Sequence, residues 1–522
     1  MMECRMIRSA ENTSADSPQG TSGLFEDKKM KNTQKIYRSI ISAAAAALFL
    51  FTAAGTGILF AEESRTGYRL ISQRTSGDVD LVEKTFDAAG NLLLEMDPQT
   101  QQNVSVPKTE ENGGETAKET SEENKTEKDT PRTVIQKIPM KVTSRQKYEE
   151  MYIQEGNLLP GERAKSTLGA WHFLENDTLV KIEETAMKQE IDLSQPLLGV
   201  DIKDSHIHIF RPEGFLTRNE LDTVNIQGNT LLADYILPNR TNVQIGESWK
   251  QSPDTMGMLL QMDLVFNLDI RTKLADVQKN IAILETSGWL EGSYEGNTSK
   301  LEVKGKSYFD LNRGRIVWFG LVIEEKRTAG YITPGMDVTA KIQYKITPMT
   351  ESKNLTDATV GKIAFDEAQY GLLLFEDPGK AWRVVLTPEW EPMNHNEYQS
   401  NFRLISDGEL VAQCSIASIR DTKNTLELKP EEYAAKVREM LKEQFESILD
   451  VKTMQRDDKT EITRVDVSAK YEDLNLRMYY YLLTQKGTSP KQCTVVFTLE
   501  ENLVEKFGEA NEEIIQSFTW GQ

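Results

Sequence analysis

Apolar and polar positions alternate with period two through much of residues 133–348, in runs at 207–210, 258–270, 281–290, 316–323 and 338–346. Alternation of this kind places one face of a strand in a core and the other in water. Turn residues separate the runs: Pro160-Gly161, Pro212-Glu213-Gly214, Pro238-Asn239, Asn312-Arg313-Gly314 and Pro334-Gly335. Long strands with short connections predict one large antiparallel sheet, curved or partly closed. Within it, residues 310–315 read as a hairpin loop, and two small β segments, 221–226 and 231–237, flank a turn at Gln227-Gly228-Asn229. A leading segment, 62–107, reads as a β-hairpin in which 80–86 and 92–96 flank Asp87-Ala88-Ala89-Gly90-Asn91. One hairpin is not stable alone, so it must pair with a later sheet or stay mobile.

After a polar link at 349–368, residues 369–522 follow a different pattern. Apolar strands at 370–375 and 382–386 precede a hairpin formed by 402–406 and 410–418. A helix after Pro430 carries Tyr433, Val437, Met440, Leu441, Phe445 and Ile448 at three- and four-residue spacing. Strands return at 462–467, 476–483 and 494–499. A last helix, opening near Thr498-Leu499-Glu500-Glu501, carries Leu503, Val504, Phe507, Ile514, Ile515 and Phe518 on one face. The predicted fold class is therefore mixed: a large curved antiparallel sheet followed by an α+β domain whose antiparallel sheet is flanked by helices.

The order of these last elements resembles the PsbP-like superfamily, which includes photosystem PsbP proteins and bacterial envelope proteins of the DcrB type. Carrying the likeness are Trp382-Arg383-Val384-Val385, Leu386-Thr387-Pro388-Glu389-Trp390, Val411-Ala412-Gln413-Cys414 and residues 513–518. The resemblance implies an interaction or accessory module and carries over no catalytic residue. Leu237-Pro238 and Ile245-Gly246-Glu247-Ser248-Trp249 resemble β-rich bacterial envelope proteins and imply no mechanism.

Two segments break the patterned chain. Residues 40–61 form an uncharged run of 22 behind Lys28, Lys29, Lys31, Lys35 and Arg38. At 1.5 Å per residue the run is just long enough to cross a hydrocarbon core of about 30 Å. It reads as a signal peptide h-region, with Met30 a second candidate start, or as an uncleaved anchor behind a cytoplasmic tail, 1–39. Either way the bulk is exported to the periplasm, cell envelope or exterior, with the membrane as a partner only if the run is retained. Residues 108–132 read as a disordered acidic linker: from 108 to 130 there are eight acidic and four basic residues and no large apolar one.

The net charge of −20 argues against nucleic acid as a partner, and three Cys with four His leave little for metal sites. One string invites a catalytic reading. In Asp204-Ser205-His206-Ile207-His208 the alternate residues Asp204, His206 and His208 share one strand face, and the string resembles the opening of an amidohydrolase. The other ligands such an enzyme requires are missing: only His172 and His395 remain, and the α/β alternation of a barrel is absent. Gly305-Lys306-Ser307 lacks the rest of a P-loop. The acidic pairs Glu149-Glu150, Glu183-Glu184, Glu324-Glu325, Glu431-Glu432 and Glu512-Glu513 read as solvated faces. Cys414 and Cys493 point into a core, as buried thiols or, if close enough, a disulfide. Trp171, Trp249, Trp289, Trp318 and Phe319 are either core or the lining of a concave face for lipid or another hydrophobic ligand. The sequence thus predicts a non-enzymatic envelope protein without a cofactor, binding a hydrophobic ligand or a protein partner. Its rivals are a metal-dependent hydrolase built on Asp204, His206 and His208, and a purely structural component.

Overall fold

The computed structural model describes residues 67–96, 134–157, 165–203, 206–294, 296–329, 334–395, 399–406, 409–419, 428–456, 459–487 and 489–521. The 1–39 tail, the 40–61 run, the 108–132 linker and Asp204 lie outside the described residues. Two compact units divide the chain. One contains the described chain up to Ile209 together with Asp222–Phe365; the other contains Phe210–Leu221 and the chain from Asp366 onward.

Among the described residues of the first unit, twelve strands form one open sheet. Its order is Ser248–Lys250, Leu264–Gln278, Ile281–Tyr294, Asn297–Asp310, Arg315–Arg327, Gly335–Met349, Val79–Met96, Val134–Gln154, Thr167–Ile182, Leu197–Lys203 and His206–Phe210. The twelfth, Thr185–Gln189, pairs beside Thr167–Ile182. Pairing is antiparallel from Ser248–Lys250 through to Leu197–Lys203. The predicted large antiparallel sheet is present, and it does not close into a barrel.

Val79–Met96 corrects the predicted leading hairpin. It is one strand, paired along its length with Gly335–Met349 on one side and Val134–Gln154 on the other. The supposed turn keeps the period: Val82, Phe86, Ala88 and Leu92 are all buried on the same face. Two neighbours supply hydrogen bonds to every residue that a turn would leave exposed to water. Small residues suit this central position, since a Cβ on Gly90 would lie 2.3 Å from the Asp337 carbonyl oxygen.

Register joins the buried positions into rows across the sheet. One row runs Ile270, Gly288, Val303, Ile323, Ala340, Ala88, Val142 and Val180. The opposite face carries charges such as the Lys345–Glu83 pair at 2.6 Å. Covering the apolar face is residues 222–262 of the same chain, which bury Leu231, Leu232, Ile236, Met256, Met258, Leu259 and Leu260. Here the two predicted β segments and the start of the 258–270 strand are corrected: Arg218–Val224, overlapping the first segment, is an α-helix. Thr230–Ile236 is a 3-10 helix capped by Asn229, whose side chain accepts from Leu231 N. Pro253–Leu260 is an α-helix capped by Ser252, which accepts from Thr255 N, and it ends at Gln261 in the left-handed conformation. A Ser cap followed by Pro at the first helical position favours a helix start over a strand.

The second unit is built on a seven-stranded antiparallel sheet among its described residues. Its order is Trp390–His395, Gln399–Ser406, Glu409–Ile419, Lys491–Glu500, Leu474–Gln485, Thr460–Tyr471 and Phe445–Gln455. Both faces are buried. On one, the helix Pro430–Leu441 packs Tyr433, Ala434, Val437 and Leu441 against Val465, Val467, Leu476 and Leu482. On the other, Phe507, Ile514 and Ile515 of the C-terminal helices join Trp382, Phe402, Tyr481 and Phe497. The first helix is shorter than predicted: it stops before Lys442, whose φ is 49°, and Phe445 and Ile448 belong to the next strand. Thr498 stays in its strand, and the last helix is split at Gly508. Leu373–Glu376, Trp382–Leu386, Thr519–Trp520 and Leu216–Thr217 form a separate small sheet.

Candidate functional site

A network of buried charge lies at one end of the covered face of the first unit. Asp80 and Glu150 stand opposite each other on neighbouring strands, both inaccessible to water. Arg74 donates through Nη2 to Asp80 Oδ2 at 3.1 Å and to Glu150 Oε1. Arg315 donates to the same Asp80 oxygen. Trp171 Nε1 donates to Glu150 Oε2 at 2.9 Å, and the Thr230 hydroxyl of the cover donates to that oxygen too. Two guanidinium groups thus balance two carboxylates where an unpaired charge would be costly. Burial pushes the Asp80 carboxyl up to about 6, with Arg74 and Arg315 opposing. For Arg74 burial acts downward, but Glu150 and Asp80 outweigh it and raise its pKa. Removing one member of such a buried network typically costs about 3–5 kcal/mol, because its partner is left unpaired.

Lys84 lies four residues along from Asp80 on the same covered face. Its Nζ reaches the Ile226 carbonyl of the cover at 3.5 Å and sits 5.6 Å from the centre of the Tyr344 ring. Burial pulls its pKa down to about 7, with Glu150 opposing. A pattern links these polar residues: side-chain donors from the strands, from the loop before Val79–Met96 and from within the cover engage its main-chain carbonyls. Arg74 binds Thr230 O at 3.3 Å, Gln146 binds Thr223 O at 2.7 Å and Tyr344 binds Gln227 O at 2.9 Å. Gln251 and Trp249 both bind Ile236 O at 2.9 Å. The arrangement is a latch holding the cover to the sheet.

The residues singled out in the sequence fall elsewhere. His206 and His208 share one side of their strand, as alternation expects, with rings stacked and centroids 6.0 Å apart. Among the described residues, no three His, Cys, Asp or Glu converge as metal ligands. His172 stands opposite Glu149; burial lowers its pKa and Glu149 opposes. His395 belongs to the second unit and pairs with Ser400. Gly305, Lys306 and Ser307 lie mid-strand.

Two of the acidic pairs are not solvated faces. Glu150 lies in the buried network, and Glu149, also buried, accepts from Ser352 Oγ and from Asn354 Nδ2 at 3.2 Å. Glu325 is buried too: Arg327 Nη2 donates to it at 2.6 Å, and the Arg327 guanidinium stacks 3.8 Å from the centre of the Tyr294 ring. Consecutive strand residues point to opposite faces, so one of two adjacent acids in a sheet must point inward.

The aromatic residues also divide between faces. Trp171 and Phe319 are buried under the cover. Trp289 and Trp318 lie one residue from buried Leu290 and Phe319 and so face the other way, Trp289 near Lys300 and Trp318 stacked on Tyr308 at 4.9 Å. They do not jointly line a concave surface. Cys414 and Cys493 are free. Cys414 sits opposite Phe497 and Cys493 opposite Ser418, so the two lie four residues apart along adjacent strands, roughly 13 Å. Disulfide geometry is out of reach, and burial raises both thiol pKa values.

Neither a protein-family profile nor a curated protein sequence matches the chain. Among solved structures, the Ran-binding protein Mog1p of Saccharomyces cerevisiae is 12% identical, with 28% of this chain and 95% of that one covered at a TM-score of 0.23. PA94 of Pseudomonas aeruginosa, a protein of unknown function, is 12% identical, with 28% and 94% covered at 0.20. The outer membrane protein OprD of the same organism is 8% identical, with 83% and 95% covered at 0.11. At such TM-scores these likenesses carry no argument about fold, location or partner.

Proposed function

We propose that the chain is an exported envelope protein that works by binding through its surfaces, pairing a self-covered β sheet with a PsbP-like accessory domain. The uncharged run at 40–61 behind its lysine cluster supports export. A seven-stranded antiparallel sheet carrying one helix between strands and helices after the last one supports the PsbP-like reading.

The observation that carries the surface reading is the filled inner face of the large sheet. Val82, Phe86, Leu284, Leu290 and Ile342 have no accessible area under the cover. A cavity large enough for a lipid would leave its lining accessible to a water-sized probe, so the face is packed with protein. A hydrophobic ligand is the second reading. The separable polar latch favours it, because a ligand would have to displace residues 222–262.

Native mass spectrometry of the full chain purified from envelope fractions separates the two. The surface reading expects the bare protein mass; a stoichiometric lipid adduct would overturn it. Metal analysis of the same sample tests the hydrolase rival. Stoichiometric zinc that disappears in His206→Ala and His208→Ala would establish that rival instead.

A further inference from the structure

We propose that the chain self-associates through the edge strand Phe445–Gln455, pairing antiparallel with the same strand of a second copy. This inference does not depend on the proposed function. Among the described residues, no strand lies beyond this one, so one side of its main chain is unpaired. The opposite edge strand of the sheet, Trp390–His395, is shorter and carries Pro392, a residue that blunts pairing. Phe445–Gln455 has eleven residues and no proline.

Its side chains are unusually apolar for an exposed strand. Ile448, Leu449 and Met454 are 37%, 46% and 42% exposed, and Met440 of the adjacent helix is 50% exposed. Isolated exposed apolar residues are ordinary, but three on one open edge mark a contact surface.

Charge selects the occupant and the register. Asp450 and Lys452 lie on the same side, two residues apart, and pair at 2.5 Å. In an antiparallel pairing with a two-fold axis at Val451, Asp450 faces Lys452 of the partner subunit, and Lys452 faces Asp450 of the partner subunit. The segment is thereby complementary to itself, as a two-fold interface requires. An axis at Lys452 would oppose two like charges. Bulges at Glu446 and Leu449 leave the pairing about Val451 regular over Asp450, Val451 and Lys452.

Sedimentation velocity on the full chain tests this, with Asp450→Lys, Lys452→Asp and the double exchange as variants. At about 100 µM, where a Kd of order 10 µM pairs most chains, the wild type is expected to sediment as a dimer. Each single reversal sets like charges opposite each other and should weaken the dimer at least tenfold; the double exchange should restore it. Circular dichroism checks that each variant folds. A monomeric wild type would overturn the proposal, as would a dimer unaffected by the single reversals or not rescued by the exchange.

Discussion

Lys84 is the residue whose environment departs furthest from its chemistry. An ammonium group buried between the Tyr344 ring and one main-chain carbonyl has lost its hydration and gained little in return. Its folded pKa near 7 lies below the unfolded value near 10.5, so between those limits the unfolded chain binds more protons. Stability therefore falls as pH drops from about 10.5 to about 7 and takes no further loss from this group below that. Lys84→Met keeps the packing and removes the charge. Denaturant unfolding of both proteins between pH 7 and 9.5 should show the variant more stable, by about 3–5 kcal/mol near pH 7 and by less as pH rises. A constant difference across that range would refute the assignment. Lys84 and its neighbours were partly legible in the sequence. Asp80, Lys84 and Glu150 fall at the positions where alternation demands apolar residues, but the sequence does not show which cation meets which carboxylate. Arg74 and Arg315 lie 241 residues apart and meet only through the sheet order.

At the scale of elements, alternation marked some long strands and left others, Val134–Gln154 and Thr167–Ile182, unmarked, and interruptions misled. The period-two pattern located the strands from 281 to 346 because each has one face against a core and one in water. Gly90 and Asn91 imitate a hairpin turn, yet burial of Ala88 and Leu92 on the face shared with Phe86 shows that the strand continues. Small residues there serve close approach between strands. Gly90→Val should consequently cost roughly 3 kcal/mol by pushing the adjacent strand away, measured as a shift in the urea midpoint; an unchanged midpoint would place the residue in a turn after all. The cover was misread for a different reason. Leu231, Leu232, Ile236 and Leu237 are consistent with a short helix or a short strand, and only the caps at Asn229 and Ser252 decide between them.

Across the whole molecule, one segment of chain determines whether the large sheet is a vessel or a solid body. Among the described residues, twelve strands form the large sheet, and residues 222–262 cover its apolar face. The latch gives the buried carbonyls of Thr223, Gln227, Thr230 and Ile236 side-chain donors, among them Gln146 and Tyr344 of the sheet. With the inner face occupied, the proposed binding would use outer surfaces and edges, and the proposed self-association uses Phe445–Gln455 in the second unit. The most direct measurement is hydrogen exchange of the native chain, comparing the cover helices Thr230–Ile236 and Pro253–Leu260 with the central strand Val79–Met96. Protection of the cover close to that of the strand is the predicted result, since both belong to one core. Cover amides that exchange within seconds while the strand stays protected would mean that the sheet opens readily, contradicting the solid, surface-acting body described here.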